Sequence, residues 1–147
     1  MQKQRLRIFL DTSALIAGVA SSRGAARAVF QLAEIGLIEV IVSRQVIVEA
    51  DRNIEEKLPE VLNEYREFME LLAPVLIDDP RQKDIERFLK IINYDDAPIL
   101  ASAVISGADF LVTWDRKHFM DKNINIHSQL KIVTPGEFLK YFRESLE

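Results

Sequence analysis

The sequence predicts an α/β fold, a three-layer α/β/α domain built on a central parallel five-stranded sheet. Five short apolar runs, Leu6–Leu10, Ile38–Val42, Val75–Ile77, Phe110–Thr113 and Ile132–Thr134, read as strands. Longer stretches with helical periodicity separate them, and strands that alternate with helices assemble into a parallel sheet. The runs also lack a regular polar face, as expected of strands covered by helices on both sides.

Each element has a local reason. The helical stretches are Arg23–Ile35, Ser43–Lys57, Glu60–Leu72, Arg81–Ile92, Ala97–Ser106 and Gly136–Leu146, with a short helix expected between the fourth and fifth strands. Ser43 can cap the second stretch, and Asp79-Pro80 opens the fourth. Thr134-Pro135-Gly136-Glu137 combines a capping Thr, a Pro at the first helical position and a Glu three residues after the cap. Leu62, Tyr65, Phe68, Met69 and Leu72 form an apolar stripe at helical spacing, which suits core packing and equally a partner surface. No repeat and no Gly-, Ser- or Pro-rich linker interrupts the chain, so residues 1–147 are expected to form one domain.

Composition limits the function. The 147 residues are 48% hydrophobic and include no cysteine, so a real core is expected, and thiolate metal sites and cysteine nucleophiles are excluded. His118 and His127 are too few for most imidazole-built metal centres. No run approaches the roughly 20 apolar residues that span a bilayer, and the N-terminal segment lacks the pattern of a signal peptide. A cytoplasmic protein without a membrane partner is the expectation. With 19 Lys and Arg against 23 Asp and Glu, the net charge of −4 speaks against nucleic-acid binding through a broad basic face.

The acids carry the chemistry. Open parallel sheets bind ligands beyond the carboxyl ends of their strands, so residues that follow a strand or open the next helix matter most. Asp11 directly follows the first strand, and Asp115 follows the fourth. Asp96 lies where the chain enters the helix before that fourth strand, and Glu49 lies in the second turn of the helix after the second strand. Each also has an ordinary structural reading. Asp11 can cap a helix, Asp95 can cap its helix with Asp96 in the first turn, and Glu49 can be a surface residue. Together they predict three or four carboxylates near one rim, which would repel one another without a cation. Oxygen ligands without thiol or imidazole favour Mg²⁺ or Mn²⁺. One or two such ions among carboxylates can activate water against a phosphodiester, which is nuclease chemistry.

These residues resemble the PIN-domain family of metal-dependent nucleases. The likeness runs from Phe9-Leu10-Asp11-Thr12-Ser13-Ala14-Leu15 to Thr134-Pro135-Gly136-Glu137-Phe138-Leu139. It is most specific in Asp95-Asp96-Ala97-Pro98-Ile99-Leu100-Ala101-Ser102-Ala103 and Gly107-Ala108-Asp109-Phe110-Leu111-Val112-Thr113-Trp114-Asp115. The resemblance implies Asp11, Glu49, Asp96 and Asp115 as the catalytic and metal-binding acids, with Asp11 and Asp96 as ligands. Glu49 and Asp115 would complete a second metal position or orient the water. Ser13 and Thr113 match hydroxyl positions that support site carboxylates or substrate phosphate, and Asp95 is an additional acid beside Asp96. The resemblance further implies cleavage of single-stranded or structured RNA, often by the toxin of a toxin–antitoxin pair held by a small antitoxin protein, and a homodimer in many members. Stand-alone RNA-processing or decay nucleases and non-catalytic RNA- or protein-binding scaffolds belong to the same family and are alternatives.

Arg23, Arg27, Arg44, Arg52, Arg116 and Lys117 are candidates for phosphate contacts or scattered solubilising charge. Trp114 is a candidate for base stacking or for packing. Asp109, before the fourth strand, belongs at the opposite edge with a structural role. Two other α/β chemistries are weaker. A receiver-type phosphoryl-transfer domain would use Asp78 or Asp79 after the third strand, but Thr134-Pro135 stands where it needs a Lys. A haloacid-type phosphatase would need an Asp at the position of Ser13.

Overall fold

The computed structural model describes residues 5–90, 92, 93, 95–115 and 130–146. The strands are β1 (Leu6–Leu10), β2 (Ile38–Ser43), β3 (Val75–Ile77), β4 (Phe110–Val112) and β5 (Lys131–Val133). The helices are α1 (Thr12–Ala20), α2 (Ala25–Glu34), α3 (Arg44–Lys57), α4 (Leu62–Leu72), α5 (Gln82–Glu86), α6 (Ala97–Ile105) and α7 (Pro135–Ser145), and a 3₁₀ turn at Pro59–Val61 precedes α4. The five strands form one parallel sheet in the order β3-β2-β1-β4-β5. The fold is the expected α/β architecture.

The strand order creates the functional crevice. From β1 the chain winds outward through β2 to β3, then crosses back to place β4 on the other side of β1. Right-handed crossovers therefore put α1 to α4 on one face and α5 and α6 on the other. Contacts agree: α1 to α4 pack on one another, α7 packs on α2, and α5 packs on α6. The connections diverge between β1 and β4, which opens a crevice at their carboxyl ends. The register pairs Leu10 with Val112, so Asp11 and Thr113 leave adjacent strands at the same level.

Burial of the central strands holds this frame. Ile8, Phe9, Leu10, Ile41, Val42, Leu111 and Val112 are all buried, together with Phe30 and Phe138 from the helical layer. Phe110 packs edge-on against Phe138, with ring centroids 5.2 Å apart. The apolar stripe of α4 also faces inward: Tyr65 and Leu72 are buried and Phe68 packs edge-on to Phe30. Leu62, Phe68 and Met69 of the stripe pack against the core while staying partly exposed.

Several boundaries differ from expectation for identifiable reasons. Helix α1 has no counterpart in the predicted elements; it is apolar nearly all round and buries Ala14, Leu15, Gly18 and Val19, so it lacks an amphipathic period. Helix α5 is a short helix, Gln82–Glu86, where a longer one was expected over residues 81–92. Asp79 does not cap it, because its carboxylate accepts the backbone N–H of Gln45 at the start of α3, at 2.9 Å. Asp96, not Asp95, stands at the cap position of α6, directly before Ala97-Pro98. Strand β3 is not covered on both sides: it lies at the sheet edge, with Leu76 56% exposed. At the chain's other end the local signals hold, and Thr134 and Glu137 form both bonds of a capping box on α7. The short helix expected between β4 and β5 lies outside the described residues.

Candidate metal and nuclease site

Asp11 stands at the switch point of the sheet, directly after β1 and beside β4. Its backbone N–H donates to Val112 of β4 at 3.2 Å, which holds it against the neighbouring strand. Its carboxylate is buried, with the residue only 6% exposed. Oδ1 accepts the backbone N–H of Ala14 at 2.9 Å and the hydroxyl of Ser13 at 2.7 Å. Oδ2 accepts the hydroxyl of Thr113. The capping role and the site role therefore belong to the same side chain.

The two hydroxyls bind the crevice walls together. Ser13, at the start of α1, accepts the backbone N–H of Trp114 at 3.1 Å. Thr113, just past β4, accepts the backbone N–H of Asp115 at 2.8 Å. Each hydroxyl thus donates to Asp11 and receives from the segment after β4. This spends both functions of each group and fixes where Asp115 begins.

Burial raises the Asp11 pKa above its ordinary value, because the charged form loses solvation. The bonds from Thr113, Ala14 and Ser13 oppose that shift, and the negative charge of Asp115 adds to it. The structure thus brings Asp11 and Asp115 into electrostatic contact, and no Lys, Arg or His pairs with Asp11 among the described residues.

Glu49 reaches the same region from α3. Its Oε2 accepts the hydroxyl of Thr12, the residue after Asp11, at 2.8 Å, and its Oε1 accepts the side-chain amide of Gln45 at 3.0 Å. Asp96 is half-buried at the start of α6. Because α6 leads into β4 through a tight turn, that start lies toward the carboxyl edge of the sheet. Asp95 is exposed. Among the described residues, no three Asp, Glu or His side chains stand together as a ready-made metal cage. The donor chemistry nevertheless fits Mg²⁺ or Mn²⁺, since such an ion commonly takes one or two carboxylates and completes its shell with water. A buried carboxylate with an acidic neighbour and no basic partner among the described residues is the donor such an ion would stabilise.

The basic candidates divide. Arg27 donates to the backbone carbonyls of Gly18 at 2.6 Å and Val19 at 3.0 Å and lies over the Phe68 ring at 4.0 Å. It closes the last turn of α1 and is not a phosphate ligand. Arg44 pairs with Asp78 at 3.3 Å on the surface. Arg23 and Arg52 are exposed, while Arg116 and Lys117 lie outside the described residues. Trp114 is 48% exposed, so its ring is not a core element. Asp109 sits at the amino edge, where its carboxylate accepts the backbone N–H of Arg7 at 2.8 Å. Sequence reading missed Thr12 and Gln45 as partners of Glu49. The four-residue spacing of Gln45 and Glu49 was a visible signal, whereas the Thr12 contact joins two separate helices.

Fold and site define a doubly wound α/β domain with a carboxylate-bearing crevice at the switch point of its sheet. The PIN-domain family model matches residues 7–117, and the chain belongs to that family. Similar solved structures share the fold at low identity. PAE2754 from Pyrobaculum aerophilum is 17% identical, with 92% of this chain and 94% of that chain covered and a TM-score of 0.61. DNA-bound VapBC from Salmonella typhimurium is 18% identical over 88% of this chain and 98% of that chain, with a TM-score of 0.66. VapBC2 from Rickettsia felis, bound to a promoter DNA fragment, is 15% identical over 86% of this chain and 97% of that chain, with a TM-score of 0.58. No curated protein matches the chain in sequence.

Proposed function

We propose that the protein is a Mg²⁺- or Mn²⁺-dependent endoribonuclease, a single domain over residues 1–147 that serves as the toxin of a toxin–antitoxin pair. The observation that carries the reading is Asp11, buried at the switch point, held by three donors and facing Asp115 with no basic partner among the described residues. Family membership supports nuclease chemistry, and the likeness to VapBC structures supports a small antitoxin partner. A homodimer and a cytoplasmic location complete the proposal. No described helix is long and apolar enough to cross a membrane.

In this mechanism Asp11, Asp96 and Asp115 would hold the ion, with Glu49 completing the site or orienting the attacking water. When bound there, a divalent ion would supply a lowered pKa for water and stabilisation of charge on the leaving oxygen. Ser13 and Thr113 keep the Asp11 carboxylate in one orientation, so little rearrangement is needed when substrate arrives. Trp114 offers an exposed ring for an unpaired base.

The test is cleavage of single-stranded RNA by the purified protein with Mg²⁺ or Mn²⁺. EDTA should stop it, and Asp11→Asn or Asp96→Asn should lower the rate by orders of magnitude while the protein still folds. Undiminished cleavage by both variants would overturn the site assignment. Inhibition by a co-expressed small partner tests the toxin role.

A further inference from the structure

We propose that Gln45 is a positioning residue that fixes the Glu49 carboxylate for the metal site; this rests on the metal-site reading above. Gln45 and Glu49 are four residues apart on α3, so their side chains share one face. The Gln45 amide donates to Glu49 Oε1 at 3.0 Å, and Thr12 donates to Oε2 at 2.8 Å. Each oxygen is therefore held by a different element, one donor from α3 itself and one from the first residue of α1. A free Glu side chain samples many rotamers, and two donors on opposite oxygens remove that freedom. The lone pairs left on each oxygen then keep a fixed direction.

The anchor is itself anchored. The Gln45 backbone N–H donates to the Asp79 carboxylate at 2.9 Å, which ties the start of α3 to the loop after β3. The chemical type of the donor matters as well. A carboxamide fixes a carboxylate without neutralising it, whereas Lys or Arg at this position would compete with an incoming cation. Gln45 is thus suited to a Glu that must remain available to a divalent ion.

The test is Mn²⁺ binding by the full chain, followed by electron paramagnetic resonance without any RNA. Gln45→Ala should weaken binding about 10-fold, the scale typical of residues that orient metal ligands. Gln45→Met, which keeps side-chain length and helix propensity but has no N–H, should reproduce that loss. Thermal melts in EDTA establish that both variants fold. In an Glu49→Ala background, adding Gln45→Ala should cost nothing further, because its partner is gone. Wild-type affinity in Gln45→Ala and Gln45→Met, or an equal loss with and without Glu49, overturns the inference. If Asp11→Asn abolishes Mn²⁺ binding while Glu49→Ala and Gln45→Ala do not change it, this inference falls and the metal-site reading stands. A wild-type protein that binds no Mn²⁺ overturns both.

Discussion

Asp11 carries two jobs that pull on its protonation in opposite directions. It is a helix cap whose bonds from Thr113, Ala14 and Ser13 favour the charged form, and a buried group whose lost solvation, the larger effect, disfavours it. The folded pKa is therefore raised above the unfolded one, and the native state holds this proton more tightly. The resulting stability is complete below the ordinary carboxylate range and is lost as pH rises through the folded value. In EDTA, thermal stability of the wild type should fall over that window, while Asp11→Asn, which cannot titrate, should lack that part of the decline. Melting curves from acidic to neutral pH check this; equal slopes in the two proteins would assign the pH dependence to other groups. The acids Asp11, Asp96, Asp115 and Glu49 were visible in the sequence through their positions after strands or early in helices. What was not visible is how each is held, because Ser13–Trp114 and Thr113–Asp11 are contacts between residues about a hundred positions apart.

At the scale of elements, α1 shows where periodicity fails. Its residues Thr12–Ala20 are apolar almost throughout, so no polar face marks it as a helix, and only burial between the sheet and α2 explains its composition. Gly18 is the point of closest approach: a Cβ there would fall 2.3 Å from the Phe30 ring tip. Phe30 is fully buried, so its ring can make way only by repacking the core around it. Gly18→Ala would gain about 1 kcal/mol in helix propensity, but such overpacking costs about 1–3 kcal/mol. The expected net effect is a lower melting temperature, measurable by calorimetry, and a gain in stability would show that the α1–α2 contact relaxes easily. Helix α7 is the contrasting case. Thr134-Pro135-Gly136-Glu137 declares its start locally, and the structure forms that cap as read. The Asp79-Pro80 signal misleads because a distant N–H, that of Gln45, takes the carboxylate.

For the whole molecule, the charge balance takes a specific meaning. Setting aside the four candidate acids, 19 of the 23 acidic residues remain against 19 basic ones, so the excess of −4 equals the proposed site. Arg27 is spent on closing α1 and Arg44 pairs with Asp78, which leaves Arg23 and Arg52 as the exposed basic candidates among the described residues to hold RNA without an ion. Binding of single-stranded RNA should therefore be weak in EDTA and should strengthen when Mn²⁺ is added, as a filter-binding assay on a cleavage-defective Asp96→Asn protein would read. Equally tight binding in EDTA would point instead to a basic surface for RNA.

By itself the sequence determined the fold class, the order of the strands, the family and the identity of the candidate acids. Those follow from local signals: short apolar runs, capping residues and carboxylates placed after strands. Tertiary structure alone decided that β1 and β4 are neighbours, that one carboxylate both caps α1 and stands at the switch point, and that Thr12 of α1 grips Glu49 of α3. The physical reason is that hydrogen-bond partners and burial are set by the crossover at the switch point. Residues far apart in the chain meet there, and no local pattern records that meeting.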